Sequence, residues 1–377
     1  MIRGAVLNLQ GCKLLFFKLL FFKLLFFKFL FSIYIIYMEN NEKLKTIVNV
    51  YKIKLINADA TGLGDYLRGC LFLIKIAKEL NYNFNMDMSH HPISNYLKNS
   101  LSNKEINYNN IYSYIDNNID GHYEEPYSKN KYNFYMNSKE IFKQSKSNLI
   151  TLFTNAFPVI DNMSDDECIF FKNNLEPNNE MNEYIENILK NLNLEKQNYS
   201  TIHIRIGDKY LTQNQELENV FLSKIIYAIK KIIVPHKNYI IISDSDKLKK
   251  HIYNLNISNI KIYFNVLEHV GQNIQNKPNG VKDCLLDFFL MANSNEIHLL
   301  KNYWWGSGFS YYCSKIYKIP YHSTDINSIN LPINESKNPL VYKSIQKKEI
   351  FSIVMNPFIK KNSFINNLNK RKIKMIV

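Results

Sequence analysis

Between residues 196 and 322, short strand-like apolar runs alternate with helix-like segments, and no other feature of the chain restricts its fold as much. A helix over Glu180–Asn193 leads to the strand STIHIRI, a helix around Leu217–Ile232, the strand YIIISD (239–244) and a short helix from Ser245. The strand KIYF, the helix DCLLDFFLMAN, the strand EIHLL, the helix SGFSYYCSKIY and a closing IPYH follow. Strands alternating with helices predict a parallel sheet with right-handed crossovers. Ligands in such sheets bind where the C-terminal ends of strands give way to loops.

The first half opens in the same way. The segment YKIKLIN (51–57) reads as a strand, ADATGLG as a loop, DYLRGCLFLIKIAKEL as a helix and YNFNMDM as a second strand. In the helix, Leu67, Cys70, Leu71, Ile74 and Ala77 follow the spacing of a buried face. Residues 95–175 offer one apolar strand, LITLFTNAFPVI (149–160), and are otherwise expected to be irregular. The expected class is therefore α/β, with two Rossmann-like units. An N-terminal domain spans 38–195 and a C-terminal domain spans 196–330, flanked by extensions at 1–37 and 331–377.

The formal charge of +14 would suit a nucleic-acid binder, but it is not spread over this body. Residues 1–37 contribute five net positive charges and residues 331–377, with the KRKIK tail, contribute eight. The part expected to fold is close to neutral, and no nucleic-acid partner is expected. The N-terminus repeats LLFFK three times before FLFSIYIIY. Its lysines, five residues apart, spiral around every face of a helix, and a lysine at a bilayer centre costs about 2.5–3.5 kcal/mol. The segment reads as a low-complexity extension or an imperfect anchor. A working start at Met38 implies a cytoplasmic protein, and membrane association would run through residues 1–37 only. Cys12, Cys70, Cys168, Cys284 and Cys313 lack metal or disulfide spacing and are expected as plain thiols. The Asn-X-Ser sequons at Asn162, Asn198, Asn256 and Asn334 are expected by chance in so asparagine-rich a chain.

Polar clusters fall at the expected strand ends. In TIHIRIGD, alternation puts His203 and Arg205 on one side and Ile202, Ile204 and Ile206 on the other. Gly207 lets the backbone turn, and a planar guanidinium suits a phosphate or carboxylate. An Arg205–Asp208 ion pair bracing the loop is the structural alternative. In ATGLGDYLRG, Gly62 and Gly64 precede a helix N-terminus, where free N–H groups favour an anion. Asp65 there is either a cap or a site carboxylate, and Arg68 could face the same anion. Asp287 stands alone in an apolar helix and must be paired or reach a site. Ser243, Asp244 and Asp246 end another strand, either as caps or as ligands. WWGSGFSYYCSKIY offers small residues and hydroxyls at a loop-to-helix junction, with Trp304 and Trp305 either core or the wall of a sugar or base subsite.

Together GLGDYLRG, HIRIGD, SDSD, LLDFFLMANSNEIHLL and WWGSGFSYYCSKIYKIPY resemble, in order and spacing across roughly residues 55–322, the GT-B fucosyltransferase superfamily. Its α1,2-, α1,6- and protein O-fucosyltransferase branches share the pattern, of which HIRIGD is the most specific piece. The resemblance implies two Rossmann-like domains facing a central cleft, and a nucleotide-sugar donor, GDP-fucose, held mainly by the second. It implies an inverting transfer of fucose to a hydroxyl of a glycan or protein. Arg205 would grip the donor diphosphate, and His203 and Asp287 would lie near the guanine. Gly207 and Asp208 would shape the loop, with Asp244 on the next strand. Ser307, Gly308, Phe309 and Ser310 would lie under the phosphates, and Gly62, Gly64 and Asp65 would close over the donor from the first domain.

The chain departs from the family where a carboxylate base is expected. Gln213 stands where relatives place Glu, and Leu63 replaces a carboxylate of another branch. Asp65, Asp208 and Glu216 remain candidate bases. No metal and no cofactor beyond the donor are expected, because an arginine can do a cation's work on a leaving diphosphate. Another nucleotide sugar as donor, or a member that binds without turnover, is the alternative.

Overall fold

The computed structural model describes residues 21–23, 25–30, 44–51, 62–98, 112–113, 127–207, 217–265, 278–303 and 306–332. Its strands form two wholly parallel sheets. The first contains β1 (Thr46–Val50), β2 (Asn83–Asp87), β3 (Tyr112–Ser113) and β4 (Leu149–Phe153), in the order β2-β1-β4-β3. The second contains β5 (Ser200–Arg205), β6 (Tyr239–Ser243), β7 (Ile260–Lys261), β8 (Ile297–Lys301) and β9 (Tyr321–Asp325), in the order β7-β6-β5-β8-β9. The expected α/β class with two Rossmann-like sheets is thus present.

In the second sheet the order reverses between β5 and β8, which makes the C-terminal ends of these two strands the switch point where doubly wound sheets bind ligands. The first sheet reverses between β1 and β4.

Among the described residues beyond residue 44 the α-helices are α1 (Leu63–Leu80), α2 (Tyr127–Gln144), α3 (Asp165–Asn174), α4 (Asn179–Asn191), α5 (Asn219–Ile232), α6 (Asp246–Asn254), α7 (Pro278–Ala292) and α8 (Gly308–Tyr317). The alternation of β5 has a physical basis on both faces. Ile202, Ile204 and Ile206 join Ile225, Ile229, Leu248 and Ile252 in a core beneath α5 and α6. The opposite face turns toward α7 and α8, where the His203 ring meets Phe309 edge-on at 6.1 Å. Cys70, Cys168 and Cys313 are buried and Cys284 half-buried, all free thiols as expected.

Two expectations are corrected. The first strand is TIVNV (46–50), ahead of the alternating YKIKLIN, of which residues 52–57 lie outside the described residues. β1 is central in its sheet and Ile47 to Val50 are all buried, Asn49 among them, so its residues do not alternate between core and solvent. The stretch expected to be irregular contains α2 and α3. α2 is mostly polar, but Tyr135, Ser138 and Phe142 are buried, and Tyr135 packs edge-on against Phe72 of α1. α3 starts with a capping box between Ser164 and Glu167, a local signal that SDDE carries.

One large core runs through both halves. Tyr66, Leu67 and Leu71 of α1 share it with Phe171, Met181 and Ile185, and with Leu285, Phe288, Cys313 and Ile316 of the second unit. α8 is tied across the boundary by Tyr311 and Tyr312, whose hydroxyls both donate to Asp161. Among the described residues no helix is long and apolar enough to cross a membrane.

Candidate functional site

The C-terminal end of β5 is held by one carboxylate. Asp244, just past β6, accepts from Arg205 Nη1 at 2.6 Å and from the backbone N–H of Gly207 at 2.9 Å through Oδ2. Its Oδ1 accepts from the Ile206 N–H at 3.1 Å. Asp244 therefore aims the guanidinium and turns the loop with the same side chain. The bracing ion pair anticipated at Asp208 is made by Asp244; Asp208 itself, with Gln213 and Glu216, lies outside the described residues.

Gly207 has φ of +116°, in the region L side chains rarely adopt, and a Cβ there would lie 1.6 Å from the Tyr303 hydroxyl. Only glycine satisfies both conditions.

His203 is buried two residues earlier on the same face, and its Nδ1 has no hydrogen-bond partner among the described residues. Burial, with the Arg205 charge adding to it, pushes the imidazole down to about 3, so the ring is neutral at pH 7. A neutral ring keeps one nitrogen free to accept and one to donate.

Two helix N-termini converge beside this strand end. α8 follows β8, with Ser307 as its N-cap residue, and no side-chain hydrogen bond closes the cap. α1 follows β1, with Gly62 as N-cap, and is likewise without a side-chain cap. Ser164, Asn178 and Ser245 cap α3, α4 and α6 through their side chains, while α5, with Glu218 as N-cap, also has no side-chain cap. The two open ends touch: a Cβ on Gly64 would lie 2.3 Å from the Gly308 carbonyl carbon and the Phe309 nitrogen. Free N–H groups and the positive ends of two helix dipoles thus face a common place, a setting that attracts phosphate. Ser310 is within 3.4 Å of the Tyr321 hydroxyl.

Asp65 and Arg68 pair with each other. Arg68 Nη1 donates to Asp65 Oδ1 at 2.9 Å, Arg68 Nε donates to the Asn155 carbonyl at 2.6 Å, and the guanidinium lies 3.7 Å from the Phe157 ring centroid. The Arg68 side chain is 7% exposed and that of Asp65 is 42% exposed, so the carboxylate is the reachable member of the pair.

Asp287, on α7, is buried and accepts from the Tyr263 hydroxyl and from Asn265 Nδ2 at 3.3 Å. Burial raises its carboxyl to about 6, against the opposing pull of Lys249, a fully buried lysine that donates to Asn265 Oδ1.

Sequence reasoning missed Lys301, Asn302 and Tyr303. Lys301 is the register partner of Arg205 across β5 and β8, and the Asn302 N–H donates to the Arg205 carbonyl at 3.2 Å. The signal was present in EIHLLKNY, a polar triplet ending a strand, but the register that sets it beside TIHIRIGD is not written in either segment. Trp304 and Trp305 lie outside the described residues. Among the described residues no group of three His, Cys, Asp or Glu side chains is arranged to hold a metal.

No protein-family model matches the chain, and no curated protein matches it. Solved structures do. NodZ α-1,6-fucosyltransferase co-crystallized with GDP is similar over 72% of this chain and 91% of its own, at 14% identity and a TM-score of 0.45. POFUT1 in complex with GDP is similar over 76% of this chain and 99% of its own, at 10% identity and a TM-score of 0.41. A variant of FUT1 from Arabidopsis thaliana in complex with GDP is similar over 74% of this chain and 70% of its own, at 10% identity and a TM-score of 0.41.

Proposed function

We propose that this chain is an inverting glycosyltransferase that moves fucose from GDP-fucose to a hydroxyl of a glycan or protein. The observation that carries the reading is the meeting of Arg205, the positive-φ turn at Gly207 and two uncapped helix N-termini at one strand end. That arrangement suits a diphosphate. The choice of GDP-fucose among nucleotide sugars rests on the resemblance of HIRIGD and the motifs around it.

In the transfer, the acceptor oxygen attacks C1 of the sugar from the face opposite the diphosphate. The bond from C1 to the phosphate oxygen breaks, its electron pair leaves with GDP, and the acceptor proton passes to a base. Arg205, pre-aimed by Asp244, donates to the departing oxygens as their charge grows. Removing one such donor typically costs about 10²- to 10³-fold in rate. The helix N-termini add fixed positive potential without having to reorganise. His203, as a neutral ring beside Arg205, would hydrogen-bond the nucleotide base, as the family resemblance implies. Asp287 at neutral pH carries a carboxylate suited to the guanine N1–H and amino donors. Asp65 is the exposed carboxylate at the junction and stands as the described candidate base; Asp208 and Glu216 are the others.

The reading is tested with residues 38–377 and GDP, GDP-fucose, GDP-mannose, UDP-glucose and UDP-N-acetylglucosamine, by calorimetry with and without chelator. Selective binding of GDP and GDP-fucose that survives the chelator is the expected result. Preference for a UDP sugar would discard the donor, and absence of binding would discard the enzyme.

A further inference from the structure

Asp287 is held by a chain of side chains that begins at a buried cation. Lys249, on α6, is fully buried. Among the described residues its ammonium donates to one side chain, Asn265 Oδ1, and it lies 5.1 Å from the centroid of the Tyr263 ring. Asn265 in turn donates through Nδ2 to Asp287 Oδ1 at 3.3 Å, and the Tyr263 hydroxyl donates to the same oxygen. Among the described residues Asp287 Oδ2 has no partner, and it is not sealed from the surface.

A lysine ammonium only donates hydrogen bonds, so Asn265 must turn its oxygen to Lys249 and its amino group to Asp287. The lysine thereby fixes the orientation of the amide, and its charge favours the ionised carboxyl. Without it the amide is free to turn its oxygen to Asp287, and that oxygen accepts only from the protonated acid. Burial opposes ionisation, as does Asp283, a like charge one turn earlier on α7 that accepts from the Tyr184 hydroxyl of α4 at 2.7 Å. The balance leaves the Asp287 carboxyl at about 6. The surrounding groups hold their state through that range. Burial keeps the Tyr96, Tyr263 and Tyr317 hydroxyls and the Cys313 thiol up, and keeps His203 on β5, beside Arg205, down at about 3. Lys282 of α7 is paired with Glu180 of α4 at 2.6 Å.

From this arrangement we infer that Lys249, acting through Asn265, is a positioning residue that keeps Asp287 an ionised acceptor with Oδ2 open to the ligand, and that it sets the lowest pH at which a guanine nucleotide is held. The inference rests on the nucleotide-sugar reading with guanine as the base. The N1–H and amino group of guanine both donate, so they bind the carboxylate and lose an acceptor when it takes up a proton. Lys249 touches no part of the ligand in this scheme; it works by fixing the amide and the charge of the residue that does.

The test measures GDP-fucose affinity by calorimetry from about pH 5 to about pH 8.5 for the full chain and for Lys249→Met, Asn265→Leu and Asp287→Asn. GDP-fucose is the probe because its diphosphate is esterified at both ends and exchanges no proton in this range, unlike that of GDP. In the parent protein, affinity should be level above about pH 7 and fall toward tenfold per pH unit below about 6. Lys249→Met should start that fall at least about one unit higher, leaving affinity within about threefold of the parent at about pH 8.5 and at least about fivefold below it at about pH 5.5. Asp287→Asn should bind weakly with a flat profile. A Lys249→Met profile that is unchanged, or lowered equally at every pH as a packing defect would lower it, overturns the inference and leaves the nucleotide-sugar reading standing. The parent's pH dependence persisting in Asp287→Asn also overturns it, since another group would then be titrating. If Lys249→Met fails to fold, Asn265→Leu decides: the same upward shift supports the inference, and the parent's profile overturns it. A parent that binds no GDP-fucose at any pH overturns the nucleotide-sugar reading and the inference with it.

Discussion

The two arginines expected at the site differ in their surroundings: Arg68 follows Gly62 and Gly64 inside a helix, and Arg205 precedes Gly207 at the end of a strand. Arg68 is enclosed: it lies over Phe157, donates to the Asn155 carbonyl and pairs with Asp65. Arg205 is held through its terminal Nη1 by Asp244 and keeps 22% of its side chain exposed. In one place the guanidinium fastens a helix to a loop, and in the other it stays partly exposed beside Asp244. Backbone geometry sets the difference. Arg68 sits a full turn inside α1, where its reach ends on the loop after β4, whereas Arg205 is the last residue of the central strand β5 and its Nη1 reaches Asp244 just past β6.

The sharpest way to break this comparison is Arg205→Ala. Transfer should fall by about 10²- to 10³-fold or more, with an unchanged melting temperature, when release of GDP is followed with an acceptor present. A folded variant with undiminished turnover would remove Arg205 from the mechanism.

Second in size is Gly64→Val. Its added atoms would meet the Gly308 and Phe309 backbone, which has no flexible end to swing aside. Overpacking of this kind costs about 1–3 kcal/mol, and forcing the helix N-termini apart should also weaken GDP binding. Denaturant unfolding and calorimetry on the same preparation would separate the two effects.

Arg68→Met should show the opposite pattern to Arg205→Ala. Loss of a charged hydrogen bond to a buried carbonyl costs about 1.5–3 kcal/mol, while turnover per folded molecule stays within a few-fold. If activity collapsed while the melting temperature held, Arg68 would belong with Arg205.

The smallest effect concerns pH. His203 has its folded pKa depressed to about 3 from an ordinary 6.5, so the unfolded chain takes up the proton first as pH falls. Its contribution to stability is whole above 6.5 and is lost progressively as pH drops toward 3. At 1.36 kcal/mol per pKa unit this is about 2 kcal/mol between about pH 7 and about pH 5. His203→Gln should flatten that part of the stability-pH curve, measured by urea unfolding at each pH.

Much of this arrangement was legible in the chain. Alternation in TIHIRIGD placed His203 and Arg205 on one face and three isoleucines on the other, because a strand packed on both sides must sort its side chains by residue number. Glycine before a helix marked the open ends of α1 and α8. α2 was missed because its burial depends on three side chains in an otherwise polar helix, and β1 because a strand buried on both faces does not alternate. Asp244 was read as either a cap or a ligand, and its carboxylate binds Arg205 and the β5 loop, a pairing between strands that neither strand encodes alone.

The chain by itself determined the alternating order of strands and helices, the turn at Gly207 and the glycine entrances of α1 and α8. Each follows from preferences of residues within a few positions of one another. Only the tertiary structure decided that Lys301 would stand beside Arg205, that Arg68 would be enclosed, and that Gly64 would meet Gly308. Those are outcomes of strand register and of one core shared by two sheets, set by which distant surfaces bury together.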